Sequence, residues 1–153
     1  MATAKYSGPN DGKTRCTWCL SHPQYVAYHD HEWGRPVHND QVLFEFLVLE
    51  SFQAGLNWLT ILKKRENFRK AFANFDARKV AAFDEAKVAE LMQDTGIVRN
   101  KLKITAAINN AARFLEVQQQ FGSFDKYIWS FTNGQPVVNH RQSVRELPSK
   151  TAL

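Results

Sequence analysis

The sequence has little cysteine, no long apolar run and few signs of β-strand. Its 153 residues include only two cysteines, Cys16 and Cys19, which lie too close together to staple a domain of this size. No stretch approaches the roughly 18 apolar residues of a membrane span, and no apolar core follows the first residues as a signal peptide requires. We therefore expect a soluble, cytoplasmic protein with reduced thiols and no membrane partner.

The chain does have enough apolar material for a packed core. Hydrophobic residues make up 44% of it and aromatic residues 12%, which excludes a disordered chain on composition. Its length favours one domain. Residues 1–14 are small, polar and contain Gly and Pro, so we predict a loose N-terminal tail there and one folded domain over residues 15–153.

Positive charge is concentrated in the middle third of the chain. Residues 61–113 hold 12 Lys or Arg against 6 Asp or Glu, a net of +6, whereas the rest holds 8 against 9, a net of −1. Proteins that bind nucleic acids often gather charge on one surface in this way. A solvated helical face is the alternative interpretation, and composition alone does not decide between them.

Signals for helices recur along the chain, whereas sustained period-two alternation does not occur. Capping residues precede most apolar stretches, and Gly55 and Gly122 follow two of them. The predicted helices are residues 40–54 after Asn39 or Asp40, one after Asn57, two short ones after Asp76 and Asp84, one over about 100–121, and one after Ser123. This pattern predicts an all-α fold without internal repeats.

The helix over residues 40–54 is unusual because "VLFEFLVLESF" is apolar on nearly every side. Such a helix should lie in the centre of the fold, and Glu50 lies in this run. An ionised carboxylate buried there needs a buried base as a partner or serves chemistry, unless Glu50 reaches the surface near the helix end. Glu45 lies about 140° around the helix from Glu50, and we expect it on the solvent side.

Two amphipathic stretches within residues 89–115 flank a five-residue connection from Gly96 to Asn100. Gly96 permits the left-handed backbone of a tight turn, and Ile97 and Val98 can pack into the core between the helices. Free N–H groups at the start of the second helix then lie next to basic side chains, a combination that binds phosphate. The predicted DNA-contacting residues are Gly96, Arg99, Asn100, Lys101 and Lys103.

This arrangement is that of a helix-hairpin-helix module, which holds one DNA phosphate without reading the sequence. Any helical hairpin with a basic turn has a similar pattern. The position of the hairpin inside the basic third of the chain favours the DNA-binding interpretation.

Several stretches together resemble one family. They are "RCTW" (15–18), "YVAYHDHEWG" (25–34), "LFEFLVLESFQAGLNW" (43–58), "LKKRENFRKAF" (62–72), "DTGIVRNKLKI" (94–104), "WSFTNGQP" (129–136) and "LPSKTAL" (147–153). In this order and at this spacing they resemble the constitutive, type I 3-methyladenine DNA glycosylases over residues 15–153. The resemblance implies an all-helical fold of the helix-hairpin-helix glycosylase superfamily.

The resemblance also implies an activity, monofunctional hydrolysis of the N-glycosidic bond of 3-methyladenine in alkylated duplex DNA during base excision repair. The partners would be that DNA and the released free base, and we expect a monomer. The family does without the Asp that many related glycosylases place after the hairpin, and residues 101–124 contain none. No lysine stands where a Schiff-base nucleophile is expected, so strand cleavage is not predicted.

The site residues implied by the resemblance surround a flipped base. Tyr28 and Trp58 match the stacking residues, and Glu50 matches the carboxylate that accepts hydrogen bonds from the amino edge of the base. Gln53, one turn from Glu50, is expected to orient it. The aromatic wall around them would consist of Trp18, Tyr25 and Trp33.

The family carries a structural zinc that joins its N-terminal segment to a C-terminal tail. Cys16 and His29 match two of the ligands, whereas the other two come from a tail segment that lies past Leu153, so this chain is expected to lack them. Cys19 and His31 offer substitutes, since Cys-x-x-Cys suits two thiolates on one zinc. Whether zinc binds therefore stays open.

Two other functions remain open at this point. The chain could be a non-catalytic helix-hairpin-helix DNA-binding module, inactivated by loss of the tail, or a helical protein that is toxin-neutralising or regulatory. Glu50 and the aromatic residues around it favour the enzyme, because a DNA clamp has no need of a pocket for a flipped base.

Overall fold

The computed structural model describes residues 6–140 and Glu146, and no strand occurs in this part of the chain. The all-α prediction is therefore confirmed. The helices are α1 (Pro23–His31), α2 (Asp40–Gln53), α3 (Trp58–Ala71), α4 (Ala77–Ala81), α5 (Glu85–Gln93), α6 (Lys101–Phe121) and α7 (Phe124–Ser130), with a 3-10 helix at Thr17–Ser21 and a short left-handed turn at Ala73–Phe75. Among the described residues, no helix is long and apolar enough to cross a membrane.

The predicted boundaries of the domain lie partly outside the described residues. This applies to residues 1–5 of the predicted tail and to the "LPSKTAL" stretch at the end. Residues 6–14 contain neither helix nor strand, although the Asp11 carboxylate accepts two hydrogen bonds of 2.7 Å from the Arg15 guanidinium. Part of the predicted tail is thus tied to the residues that follow it.

Local capping chemistry sets the starts of six helices, five of them at residues that were predicted as caps. Each capping side chain accepts a hydrogen bond from a backbone N–H in the first turn, which would otherwise lack a partner. The caps are Asn39, Asn57, Asp76, Asp84, Asn100 and Ser123. Gly122 ends α6 with a φ of 86°, a left-handed conformation that glycine adopts at little cost.

The core forms around α2, which contacts α3, α6, α7 and the turn at Ala73–Phe75. Phenylalanine rings from α2, α3 and that turn dominate it, each at most 1% exposed: Phe44, Phe52, Phe68, Phe72 and Phe75. The central position predicted for α2 is confirmed. One stripe of the helix nevertheless faces outward, because Leu47 is 43% exposed.

The 3-10 helix and α1 were not predicted from the sequence. The N-cap of α1 is His22, whose ring accepts a hydrogen bond from the Gln24 N–H, and Pro23 occupies the first helical position. Histidine is a weak capping signal. The apolar residues of α1 also do not gather on one face, since its tyrosines pack only partly against the core and also line a surface cleft.

Candidate functional site

A cleft of about 230 Å³ lies where the 3-10 helix, α1, α2 and α3 meet. Seven side chains line it, and they are all the substrate-binding and catalytic residues predicted from the sequence. They are Trp18, Tyr25, Tyr28, Trp33, Glu50, Gln53 and Trp58. The fold therefore brings together residues that span 41 positions of the chain, although their individual roles stay predictions.

The aromatic rings of the cleft pack edge to face. The ring centroids of Tyr28 and Trp58 lie 5.4 Å apart at 61°, and those of Trp18 and Trp33 lie 5.3 Å apart at 78°. Trp58 is 7% exposed, and Phe46 stacks behind it with the centroids 6.3 Å apart. Edge-to-face packing fixes the rings while leaving ring faces free to stack on a planar ligand.

Trp58 offers the cleft its ring and not its polar atom. Its Nε1 is enclosed and has no hydrogen-bond partner among the described residues. An unpaired buried donor costs free energy, so the position of this ring is fixed by its aromatic contacts.

The two glutamates of α2 lie in different surroundings, and the prediction for Glu45 is wrong. Glu45, expected in solvent, is 6% exposed, whereas Glu50, for which both a buried position and the surface near the helix end were open, is exposed. The reason is that two arginine side chains of α3 pair with Glu45. The Glu45 Oε1 accepts hydrogen bonds from Arg65 Nε at 2.7 Å and Arg69 Nε at 2.9 Å. A buried carboxylate is tolerated when guanidinium groups pair with it. Glu50 is thus left free to face the cleft.

Arg65 connects three of the site elements behind the cleft. Besides Glu45, its guanidinium holds the Glu32 carboxylate at 2.7 Å, just after α1, and it lies 5.1 Å from the centre of the Phe46 ring. Burial works to lower the pKa of Arg65, but the two carboxylates outweigh it and raise that pKa. Sequence reasoning missed this cluster. The available signal was the four-residue spacing of Arg65 and Arg69, which places both on one face of α3.

Electrostatics keep the Tyr28 hydroxyl protonated. Burial raises its pKa above the ordinary value for tyrosine, and the negative charges of Glu50 and Glu32 raise it further. Tyr28 also borders a second, larger groove of about 700 Å³, which Trp33 and Glu50 share. The small cleft and this groove therefore share three lining residues. Gln53 lines the cleft one turn beyond Glu50, but among the described contacts no hydrogen bond joins the two side chains.

The predicted hairpin is present, but its glycine serves a different purpose. The φ angle of Gly96 is not left-handed, so that part of the prediction is wrong. A Cβ there would lie 2.9 Å from Asp94 Oδ1 and 3.0 Å from Asn67 Cβ, and the Gly96 N–H donates to Asp94 Oδ1 at 2.7 Å. Glycine is required because two neighbours approach its backbone closely.

The rest of the connection packs as predicted. Ile97 is 3% exposed, and Val98 is half-buried against the core. From α3, Lys64 Nζ donates to the carbonyl oxygens of Thr95 at 3.0 Å and Gly96 at 3.2 Å. The hairpin is therefore attached to the same helix that carries Trp58.

The start of α6 has the features of an anion site. Asn100 caps it through the Lys103 N–H, while the N–H groups of Lys101 and Leu102 have no partner among the described residues. The side chains of Arg99 and Lys101 are exposed beside them. Lys103 departs from the prediction, because its Nζ donates to the carbonyl oxygens of Phe52 at 2.8 Å and Ala54 at 2.5 Å. It is engaged with protein and not free to hold a phosphate.

The predicted metal ligands lie near each other. His29 Nε2 is 3.5 Å from the Cys16 backbone N, and its Nδ1 is 2.9 Å from Asp30 Oδ1. Cys19 is buried and its Sγ donates to the Cys16 carbonyl oxygen, while His31 is exposed. Across residues 6–140 and Glu146, no three Cys, His, Asp or Glu side chains are arranged to hold a metal ion.

Two donors do not fill the four positions of a structural zinc. The described residues alone therefore do not fit a zinc site. That Cys16 and His29 form half of such a site stays a prediction.

The helical fold sets a cleft of aromatic rings and one carboxylate beside a basic hairpin, features that suit the class of DNA-binding proteins that hold a single planar base. The profile of the methyladenine glycosylase family matches residues 18–153, and the chain belongs to that family.

Its relatives agree with this assignment. DNA-3-methyladenine glycosylase 1 of Escherichia coli (strain K12) is 47% identical over 138 residues, which are 90% of this chain and 74% of the relative. A crystal structure of a 3-methyladenine DNA glycosylase I is similar with a TM-score of 0.86 at 45% identity, over 91% of this chain and 76% of that one. The Staphylococcus aureus glycosylase, solved to explain 3-methyladenine recognition, is similar with a TM-score of 0.77 at 43% identity, over 79% and 64%.

Proposed function

We propose that the chain hydrolyses the N-glycosidic bond of 3-methyladenine in alkylated DNA, as a monofunctional glycosylase of base excision repair. The single observation that carries this proposal is the cleft in which five aromatic rings, Glu50 and Gln53 meet. The Escherichia coli relative is a DNA-3-methyladenine glycosylase and is 47% identical to the chain over the 138 residues that they share in alignment.

The size of the cleft suits one base. A base inside the duplex stack is out of reach, so the nucleotide must rotate out into a pocket. At about 230 Å³, the cleft is smaller than the roughly 300–1,000 Å³ of typical small-molecule pockets. A single flat ring system lying against the ring faces of Tyr28 and Trp58 fits this space.

Charge distinguishes the damaged base from normal adenine. In the DNA, 3-methyladenine is a flat cation, which aromatic faces attract by about 0.5–2 kcal/mol each. Glu50 lies at the mouth of the cleft, where its carboxylate can accept hydrogen bonds from the amino edge of the base. Neutral adenine gains neither the cation–π attraction nor the full attraction of the carboxylate, so the damaged base is favoured.

The reaction itself needs little assistance. The bond between sugar C1′ and the base nitrogen breaks, and both electrons go to the cationic base, which leaves neutral. Water then adds its hydroxyl to C1′ and releases a proton to solvent. Because the leaving base already carries a positive charge, this bond is labile without a general acid, in keeping with the absence of an Asp from residues 101–124.

The hairpin would hold the DNA. The free N–H groups of Lys101 and Leu102, with the side chains of Arg99 and Lys101, suit one backbone phosphate. We also propose that the chain acts as a monomer in the cytoplasm. The seven cleft residues all come from one chain, and both thiols are unpaired, which suits a reducing compartment.

Incubation of the purified chain with methylated duplex DNA tests the proposal. We expect free 3-methyladenine, detected by chromatography, and abasic sites in otherwise intact strands. If the chain binds the DNA without freeing any base, the proposal is wrong and the chain is a non-catalytic DNA-binding module.

A further inference from the structure

Among the described residues, Lys103 is the one predicted DNA-contacting cation whose side chain donates to protein. Its ammonium donates to the carbonyl oxygens of Phe52 at 2.8 Å and Ala54 at 2.5 Å, and the side chain is half-buried. Both carbonyls belong to the C-terminal end of α2, where helix carbonyls lack partners and carry partial negative charge. The ammonium satisfies them from another helix.

The Ala54 carbonyl belongs to a tight turn beside the cleft, and the Phe52 carbonyl lies just before this turn. The Leu56 N–H donates to the Gln53 carbonyl oxygen at 2.6 Å, Ala54 has φ −48° and ψ 120°, and Gly55 has φ 77°, which are the features of a type II turn. The turn joins α2 to α3. It therefore sets the distance between Gln53 on one side of the cleft and Trp58 on the other.

The backbone of Lys103 belongs to the proposed phosphate site. Its N–H donates at 3.1 Å to Asn100, the cap of α6. One residue thus contacts both the phosphate-binding helix end and the turn of the cleft. Lys64 makes a similar tie from α3 to the hairpin carbonyls, so the hairpin and the cleft are joined at two places.

We propose that Lys103 is a positioning residue that holds the α2–α3 turn, and with it Gln53 and Trp58, at a fixed place relative to the phosphate gripped by α6. This inference rests on the proposed function. Without the ammonium, the carbonyls turn to water and the turn samples other conformations. A base delivered by a correctly bound phosphate would then meet a displaced cleft, and small displacements of a site slow reactions strongly.

The test separates the rate of base release from DNA affinity. In Lys103→Met, the side chain keeps its length but loses its donors. We expect single-turnover release from methylated DNA to fall about tenfold, with the slope of log affinity against log salt unchanged. In Lys101→Met, the reference for a lost phosphate contact, the salt slope should fall by about 1. In Lys126→Met, the matched control at an exposed lysine far from the hairpin, both the salt slope and the rate of release should keep their wild-type values. Lys103→Arg should restore part of the rate, since a guanidinium can reach the same carbonyls.

Gly55→Ala provides a second route should Lys103→Met fail to fold. It strains the same turn because of the left-handed φ, and its Cβ would contact nothing within 4 Å. We expect slower release at an unchanged salt slope here too. The inference is overturned if Lys103→Met lowers the salt slope as Lys101→Met does, or if Lys103→Met and Gly55→Ala release base at the wild-type rate. A wild type that frees no base would instead refute the proposed function, and the salt slope would still decide whether Lys103 contacts phosphate.

Discussion

At the scale of single residues, Glu45 and Glu50 show how surroundings give one residue type two uses. Both lie on α2 in the same apolar run, and the sequence marks one of them as a carboxylate that needs a reason to be buried. Glu45 is the buried one, held by Arg65 and Arg69, whereas Glu50 faces the cleft. Which of the two glutamates is buried depends on where α3 packs against α2. This packing is a long-range contact, so the helical periodicity of α2 cannot predict it.

Tyr28 tests whether the base stacks on this aromatic wall. Tyr28→Ala removes the ring opposite Trp58, and stacking of a base on an aromatic side chain contributes about 1–3 kcal/mol. We therefore expect the inhibition of base release by added 3-methyladenine to weaken by about fivefold or more. Tyr28→Phe keeps the ring and should stay within about threefold of the wild type. Equal effects of the two substitutions would show that the hydroxyl matters and the stacking does not.

At the scale of secondary structure, capping made most of the helical layout predictable. A side chain such as Asn57 or Asn100 acts on the next three residues, so its effect is readable from the sequence. The missed helix α1 begins with a His cap and lacks a segregated apolar face. The purpose of Gly96 could not be predicted either, because the obstacle to a side chain there includes Asn67 on α3, 29 positions away.

Asp40 links the start of α2 to the start of α7. Its carboxylate accepts hydrogen bonds from Gln118 Nε2 at 2.6 Å and from the backbone N–H groups of Phe124 and Asp125 at 2.8 Å each. Burial works to raise the pKa of Asp40, but these hydrogen bonds outweigh it and lower the pKa below its ordinary value. The charged form is therefore favoured in the folded state.

This lowered pKa predicts a pH dependence of stability. A carboxylate whose pKa is lower in the folded state stabilises the fold above its unfolded pKa of about 3.9, and that stability is lost as the pH falls through the folded value. We expect Asp40→Asn to lower the free energy of unfolding by about 1–2 kcal/mol at pH 7. In urea titrations, the difference from the wild type should stay constant above about pH 5 and shrink below pH 4. A difference that does not change with pH would contradict this role.

At the scale of the whole molecule, the basic middle third serves two purposes. Part of its positive charge contacts other parts of the protein. Arg65 and Arg69 pair with Glu45. Lys64 and Lys103 donate hydrogen bonds to backbone carbonyl oxygens. The charge count therefore predicted a DNA-binding region without distinguishing the cations that face outward. The family resemblance identified the members of the cleft, and the fold shows that they meet in one place.

Arg99 and Lys101 are the exposed cations at the hairpin, so their joint replacement by alanine should weaken DNA binding. We expect a similar loss for duplexes of different sequence, because phosphate contacts carry no base information. The slope of log affinity against log salt, from fluorescence anisotropy, should fall by about 1 per residue removed.

Lys126→Ala is the matched control for this pair. Lys126 is exposed and lies beside Gly122, at the far end of the 21-residue helix α6 and thus about 30 Å from the hairpin. Its replacement should leave the salt slope unchanged. A loss of affinity confined to particular duplex sequences in the Arg99 and Lys101 variant would exclude the phosphate role.

The central claim is that the cleft with Glu50 is the place where the damaged base is bound and released. The most direct measurement compares single-turnover release of 3-methyladenine by Glu50→Gln and Glu45→Gln, each alongside its thermal unfolding. Glu50→Gln should slow release at least tenfold, about 1.4 kcal/mol on the barrier, at an unchanged melting temperature. Glu45→Gln should lower the free energy of unfolding by roughly 2–3 kcal/mol. This loss is smaller than for a fully broken buried pair because Arg65 still pairs with Glu32. Well below its melting temperature, Glu45→Gln should release base at the normal rate. The reverse result, normal release by Glu50→Gln and slow release by a folded Glu45→Gln, would contradict the account.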